Sequence, residues 1–346
     1  MKSASLIFVF DCQISLNDYS IFDVGTGKPY INWDKTQSLF AKQYEKNIKK
    51  ELDHLVDLSV GGKLQSSAYF SGYFLNMLEK VDAQMITELK TAIKKGNIQI
   101  LGGTINHSFS SIYSHLCFEW EVIAHLAKMK DKFGVIPSAF YNTENIYFDG
   151  LVELIKPLGF NTTFAGVIPW YLQGDNSQRL FTVKDEKKFH LHLIDDNTAK
   201  ALENPDIKNL HFQFDLNLLE EFGGLRQIIK SLKNIELLSL SEQVKQAKPK
   251  TNFKIKSPTI GSVRNRSLST FNGQAMQTNA FDQYYKLCTV VEGSQKPDYM
   301  DCHAELGHMS LFLQMSRNET DTKTDPYQTY SNYVNMLTDL EIRMGR

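Results

Sequence analysis

Long hydrophobic runs are missing from this 346-residue chain. No stretch approaches the roughly 18 apolar residues that a membrane-spanning helix needs, which excludes a membrane partner of that kind. Cysteine is scarce. Cys12, Cys117, Cys288 and Cys302 show no paired spacing, so neither a disulfide framework nor a zinc knuckle is implied. Charge of one sign is also lacking, with 38 basic against 39 acidic side chains, and no nucleic acid partner is expected. The nearest basic run, Lys245 to Lys256, is framed by Pro249 and Pro258 and reads as a solvated linker. An export signal is absent: Leu6–Phe10 is too short for one and leads straight into Asp11, so a cytoplasmic address is expected. The nine histidines include no His-x-x-x-His pair, and neither metal nor cofactor is expected.

What is present is alternation. Ala4–Phe10 is an apolar, β-rich run, as in a strand buried on both faces of a parallel sheet. Helical spacing follows over Thr36–Leu58 and stops at Gly61-Gly62. The pattern continues with a strand at Gln65–Phe70, a helix over Ala83–Lys95, and a strand at Ile98–Leu101 running into Gly102-Gly103. A helix over Glu119–Phe133, a strand at Ser138–Tyr141, a helix over Gly150–Leu158 and a strand at Thr162–Ala165 come next. Further strands are expected at Phe189–Ile194, Leu210–Phe214 and Glu236–Leu238, with a helix at Leu225–Leu232. Strands alternating with helices imply an α/β fold with a parallel sheet, and about seven of them favour a closed or nearly closed barrel. Beyond Gln246 only helices are expected: Asn279–Val291, Cys302–Met315 and Pro326–Arg343. The predicted division is a barrel domain over 1–246 and a linker with a helical domain over 247–346.

In such barrels the working groups sit at the carboxyl ends of strands. Here the first strand ends in Asp11-Cys12-Gln13, the third leads to Asn106-His107, and the fourth to Asn142-Thr143-Glu144. Glu144 is the leading catalytic candidate, with Asn142, Thr143 and Tyr147 placed to orient its carboxylate; a glutamate favoured by a helix start is the plainer reading. His107 follows a Gly-Gly bend that lets backbone approach a ligand. His190 and His192 share one strand face, and His211, Gln213 and Asp215 another, because strand side chains alternate. Asp23-Val-Gly-Thr-Gly-Lys28 lacks the spacing of a phosphate loop and reads as a turn.

The run Leu101-Gly-Gly-Thr-Ile-Asn-His-Ser108 and, further on, Phe140-Tyr-Asn-Thr-Glu-Asn-Ile-Tyr147 resemble two sequence regions of glycoside hydrolase family 57, in its α-amylase-like branch. Tyr19–Gly25, Pro326-Tyr327 and Tyr333–Glu341 extend the likeness to both ends of the chain. The resemblance implies an incomplete TIM-type (β/α)7 barrel with a C-terminal helical region, acting on an α-glucan or oligosaccharide by a retaining mechanism. Glu144 occupies the place of the family's nucleophile. A retaining mechanism needs a second acid about 5–5.5 Å away. Gln213 stands where the family has its acid/base aspartate, and Asp215, two residues on, is the available carboxylate. Cys12-Gln13-Ile14 replaces a His-Gln-Pro segment, so the sugar-contacting imidazole becomes Cys12 beside Gln13. His308 falls at a family histidine, and Trp170 offers a face for stacking on a sugar. Two functions remain open: an active retaining α-glucan enzyme, or a catalytically impaired homologue that binds glycans.

Overall fold

The computed structural model describes residues 2–168, 171–172, 177–247, 249–251, 254–261, 267–316 and 325–345. The chain forms two compact units, each assembled from three segments. One comprises Met1–Asp11, Ala41–Gly103 and His125–Arg266; the other comprises Cys12–Phe40, Thr104–Ala124 and Ser267–Arg346. The change of composition near Gln246 therefore coincides with the limit of neither unit.

All ten strands among the described residues lie in the first unit: β1 (Ser3–Phe10), β2 (Ser66–Phe70), β3 (Ile98–Gly102), β4 (Ala139–Phe140), β5 (Thr162–Gly166), β6 (Leu180–Val183), β7 (Glu186–Ile194), β8 (Asn209–Asp215), β9 (Glu236–Leu237) and β10 (Lys250–Thr251). Their order is β10-β6-β7-β5-β4-β3-β2-β1-β8, with β9 pairing the start of β1. Seven of them, β8-β1-β2-β3-β4-β5-β7, run parallel, and only the β6–β7 pair is antiparallel. The outer two of the seven meet without a ladder. Asp195 N–H donates to the His211 carbonyl at 2.9 Å, and the His192 and His211 rings are hydrogen-bonded at 2.8 Å, closing the sheet into a (β/α)7 barrel.

Every residue of β1 is buried, as its apolar run requires of a strand covered on both faces. Ile7, Val9, Tyr69, Leu101, Ala139, Tyr141, Phe164 and Ile194 form one cluster, and alternation then assigns the rest of the lumen. Ser5, Ile7 and Val9 align with His211, Gln213 and Asp215 on β8, so these three also face inward.

The expected strands and helices recur with ends shifted by a few residues. The helix expected over Thr36–Leu58 extends from Trp33 to Val60 and carries one π turn at Tyr44–Ile48. Several elements were not expected, among them the strand Leu180–Val183 and the helices Thr198–Glu203, Leu216–Glu221 and Leu240–Gln246, and three departures bear on the architecture. A helix at Gly72–Val81 was hidden by the short interval after β2, where Ser71 caps it through Phe74 N–H. The lysine-rich segment is not wholly a linker, because Lys250-Thr251 pairs with Phe181-Thr182 as an exposed edge strand, where a lysine also discourages further pairing. The helix expected over Cys302–Met315 is two helices, Pro297–Leu306 and Met309–Gln314, broken where His308 caps the second by accepting Ser310 N–H at Nδ1.

In the second unit, Ala275–Ser294 and Pro326–Arg343 are its long helices among the described residues. The last begins with Asp325 as cap and Pro326 in its first turn, the favoured order at a helix start. It also draws the two chain ends together. Asn332 accepts Tyr19 N–H at 3.0 Å, and buried Asp339 accepts both Gly25 N–H and the Tyr30 hydroxyl at 2.6 Å. The Gly-Thr-Gly turn is thus committed to structure.

Candidate active site

In the barrel unit, chain leaving β4 makes a tight turn in which Glu144 and Asn145 both hold positive φ, 55° and 49°. Two successive non-glycine residues in the left-handed region store of order 1–3 kcal/mol each, so the surroundings must over-determine them. They do. Asn145 N–H donates to the Asn142 carbonyl, and the Asn142 amide donates to the Ile146 carbonyl, both at 2.9 Å. The Asn145 side chain donates to Gln213 Oε1 at 2.8 Å and to the Gly261 carbonyl at 3.2 Å, while Gly261 N–H returns a bond to the Glu144 carbonyl at 3.2 Å. Tyr147 and Thr259 exchange a further pair of backbone bonds.

Gly261 is held against Gly166 so closely that a Cβ on it would sit 2.2 Å from Gly166 Cα. Only glycine fits there. The same contact fixes two amide orientations. A carbonyl can only accept, so the Asn145 nitrogen faces Gly261, and Gln213 must then present its oxygen to Asn145 and turn its NH2 away.

Glu144 is 8% exposed, and its backbone N–H bonds the phenol oxygen of Tyr141. That phenol is held well above its ordinary pKa, first by burial and then by the charges of Glu144, Asp215 and Asp11. Carboxyl groups from the ends of β4, β8 and β1 thus all act electrostatically on one buried lumen phenol. Asp215 closes β8 and caps the helix Leu216–Glu221, its Oδ1 accepting Leu218 N–H at 2.7 Å. The Tyr147 hydroxyl donates to Asp149 at 2.9 Å. Trp170 lies outside the described residues.

His192 and His211 lie deeper in the lumen. His211 Nδ1 donates to the Leu193 carbonyl, which leaves its Nε2 to accept from His192 Nδ1–H. Burial lowers both pKa values, His211 to about 4 and His192 further, so both rings are neutral. Asp195 forms a buried ion pair with Arg179 at 2.6 Å beside them.

In the second unit, His107 and His308 come together. His107 has φ 52°, its carbonyl accepts Met309 N–H at 3.4 Å, Ser108 bridges to His308, and the two rings meet edge-on at 6.5 Å. The turn rests on buried Glu121, which accepts the Ser108 hydroxyl at 2.7 Å and whose carboxyl burial pushes up to about 8. Cys12 is buried and Gln13 exposed in this unit. Among the described residues no group of three or more His, Cys, Asp or Glu side chains could hold a metal ion, and no helix is long and apolar enough to cross a membrane.

Reading the residues alone missed Asn145, Tyr141 and the role of Asp11. Asp11 was within reach, two residues beyond lumen-facing Val9 on β1. Asn145 gave only the weak signal that asparagine tolerates positive φ.

A parallel barrel with a strained acidic turn at the carboxyl end of a strand defines a barrel protein whose candidate groups stand where such folds carry their working residues. The chain belongs to glycosyl hydrolase family 57, whose profile matches residues 21–236, and is α-amylase-like. A curated protein of Methanocaldococcus jannaschii, provisionally named an alpha-amylase, is 22% identical, the match covering 90% of this chain and 78% of that protein. The fold is similar to that of a family 57 branching enzyme from Thermococcus kodakaraensis: TM-score 0.70, 9% identity, 99% of this chain and 90% of that one. It is also similar to a 4-alpha-glucanotransferase from Thermococcus litoralis: TM-score 0.65, 12% identity, 91% of this chain and 57% of that one. The chain thus spans little more than half of the latter enzyme.

Proposed function

We propose that this protein acts on α-glucans by double displacement, with Glu144 as nucleophile. The carrying observation is the left-handed turn at Glu144, whose strain is held by bonds from Gln213, Gly261 and Tyr141. Such strain commonly marks a site where geometry matters more than stability. The carboxylate would attack the anomeric carbon while an acid protonates the departing oxygen; water or a sugar hydroxyl then resolves the glycosyl intermediate. Asp215 is the proposed acid/base, facing the lumen on β8. Cys12, Gln13, Asn142, Trp170, His107 and His308 are the proposed sugar-binding residues.

A second reading, glycan binding with impaired turnover, draws on Gln213 and Asp215. The former is an amide, unable to act as an acid, and the latter commits one oxygen to a helix cap. Incubation with maltooligosaccharides, following reducing ends and product lengths, separates the two. Turnover that Glu144→Gln reduces by roughly a thousandfold or more supports the enzyme. Calorimetric binding of the same sugars without turnover supports the second reading, and absence of both overturns the two together.

A further inference from the structure

The second unit holds a group of side chains for which a glycan has no use. Cys117 lies in the first turn of the helix His115–Phe133, where Ser114 Oγ accepts its N–H at 3.2 Å. Cys288 sits mid-helix in Ala275–Ser294, flanked by Tyr285 and Glu292 on one face. Those flanking residues fix the alignment: Tyr285 stacks on Tyr113 with ring centroids 3.6 Å apart, and Glu292 accepts the Ser114 hydroxyl. Between these contacts the two cysteines are brought side by side, close enough for each thiol to act on the ionisation of the other. His303, its ring stacked on Tyr284 at 4.1 Å, brings Nε2 to 3.6 Å from the Cys288 sulfur.

We propose that Cys117 and Cys288 are an oxidisable dithiol that a hydroperoxide converts to an intramolecular disulfide, with Cys117 the attacking sulfur. The surroundings lower the Cys117 pKa, chiefly through the neighbouring Cys288 thiol, against the opposing effect of burial, and then through His303 and Ser114; the helix N-terminus acts in the same sense. Opposing carboxylates are Glu292, which is bonded to Ser114, and Glu121, which is neutral below about pH 8. Cys288, by contrast, is held as a thiol.

The Cys117 thiolate attacks one peroxide oxygen, forming S–O as O–O breaks; the departing hydroxide takes a proton and leaves as water. The Cys288 sulfur then attacks the sulfenic sulfur, S–S forms, S–O breaks, and the oxygen leaves as a second water with the thiol proton. Two thiols lose two electrons and one hydrogen peroxide gains them.

The test treats the folded full-length chain with dilute hydrogen peroxide at neutral pH, then alkylates it and measures its mass. The expected result is loss of two of the four thiols, a mass lower by two hydrogen atoms, a 117–288 linked peptide, and reversal by dithiothreitol. Both thiols should disappear roughly tenfold faster than Cys302. Cys288→Ser should stop at a sulfenic acid on Cys117 that a dimedone-type reagent traps, and Cys117→Ser should abolish the link. A link through Cys12 or Cys302, or a folded protein whose Cys117 and Cys288 react no faster than Cys302 yet react normally in urea, overturns the proposal.

Discussion

Strand β8 supplies both levels of the barrel lumen, and the two behave differently. At His211 the polar groups are spent on one another: ring to ring, ring to carbonyl, and the Arg179–Asp195 ion pair alongside. Four residues further on, Asp215 lies at the strand-end level, where it, Glu144 and Asp11 all act electrostatically on Tyr141 and the turn at Glu144 holds a disfavoured conformation. A buried hydrogen-bond network rigidifies what it joins, and here it joins two strands that share no ladder. The rim accepts backbone strain that does nothing to stabilise it. Deep polar residues hold the barrel shut, whereas those at the strand ends lie where parallel barrels carry their working groups.

The largest effect that would break this comparison is one of pH. Both deep histidines have lowered pKa values, so below their ordinary 6.5 the unfolded chain binds protons that the folded chain refuses. Their contribution is therefore complete above about pH 6.5 and is lost as pH falls towards 4, at about 3 kcal/mol for His211 alone. Glu121, held up to about 8, and His125, lowered to about 4, titrate over the same range in both chains, so the check is a difference: between pH 7 and 4 denaturant titrations should show the parent losing more stability than His211→Gln. An equal loss in both would mean that burial in the lumen does not hold His211 neutral. A smaller stability effect is expected from Gly261→Ala at the rim. The added methyl meets Gly166 backbone rather than a movable side chain, and should cost about 1–3 kcal/mol. It should lower sugar turnover or affinity at least tenfold, more than its cost in stability explains. A fully active variant would show that the turn need not be held.

The seven barrel strands were legible because parallel strands buried on both faces are apolar runs, as β1 shows. Glu144 was legible by its place after a strand and by the likeness of its segment to the family. Less legible was what depends on contacts distant in sequence. Lys250-Thr251 carries no strand signal of its own and becomes a strand by pairing with Phe181-Thr182. The partner of Asn145 is 68 residues away, and the bond that orients both amides comes from Gly261, in a stretch that reads as irregular. Nor could the interleaving of the two units be read from composition, since it arises where the chain leaves the barrel after β1 and again after β3.

Gln213 lies between the two levels, and replacing it sharpens the comparison at the smallest structural cost. Gln213→Asp shortens the side chain by one methylene and supplies an acid that the Asn145 amide can still reach as donor, so the expected loss of stability is under about 1 kcal/mol. If the rim lacks only a proton donor at this position, turnover of maltooligosaccharides should rise at least tenfold and fall again as pH rises through the new acid's pKa. Gln213→Glu, equal in length to glutamine but with its acid displaced outward, should give a smaller gain, because proton transfer depends on hydrogen-bond reach. If neither variant gains activity while Asp215→Asn in the parent chain removes it, Asp215 carries the acid/base role, and the amide at 213 serves to hold the strained turn through Asn145.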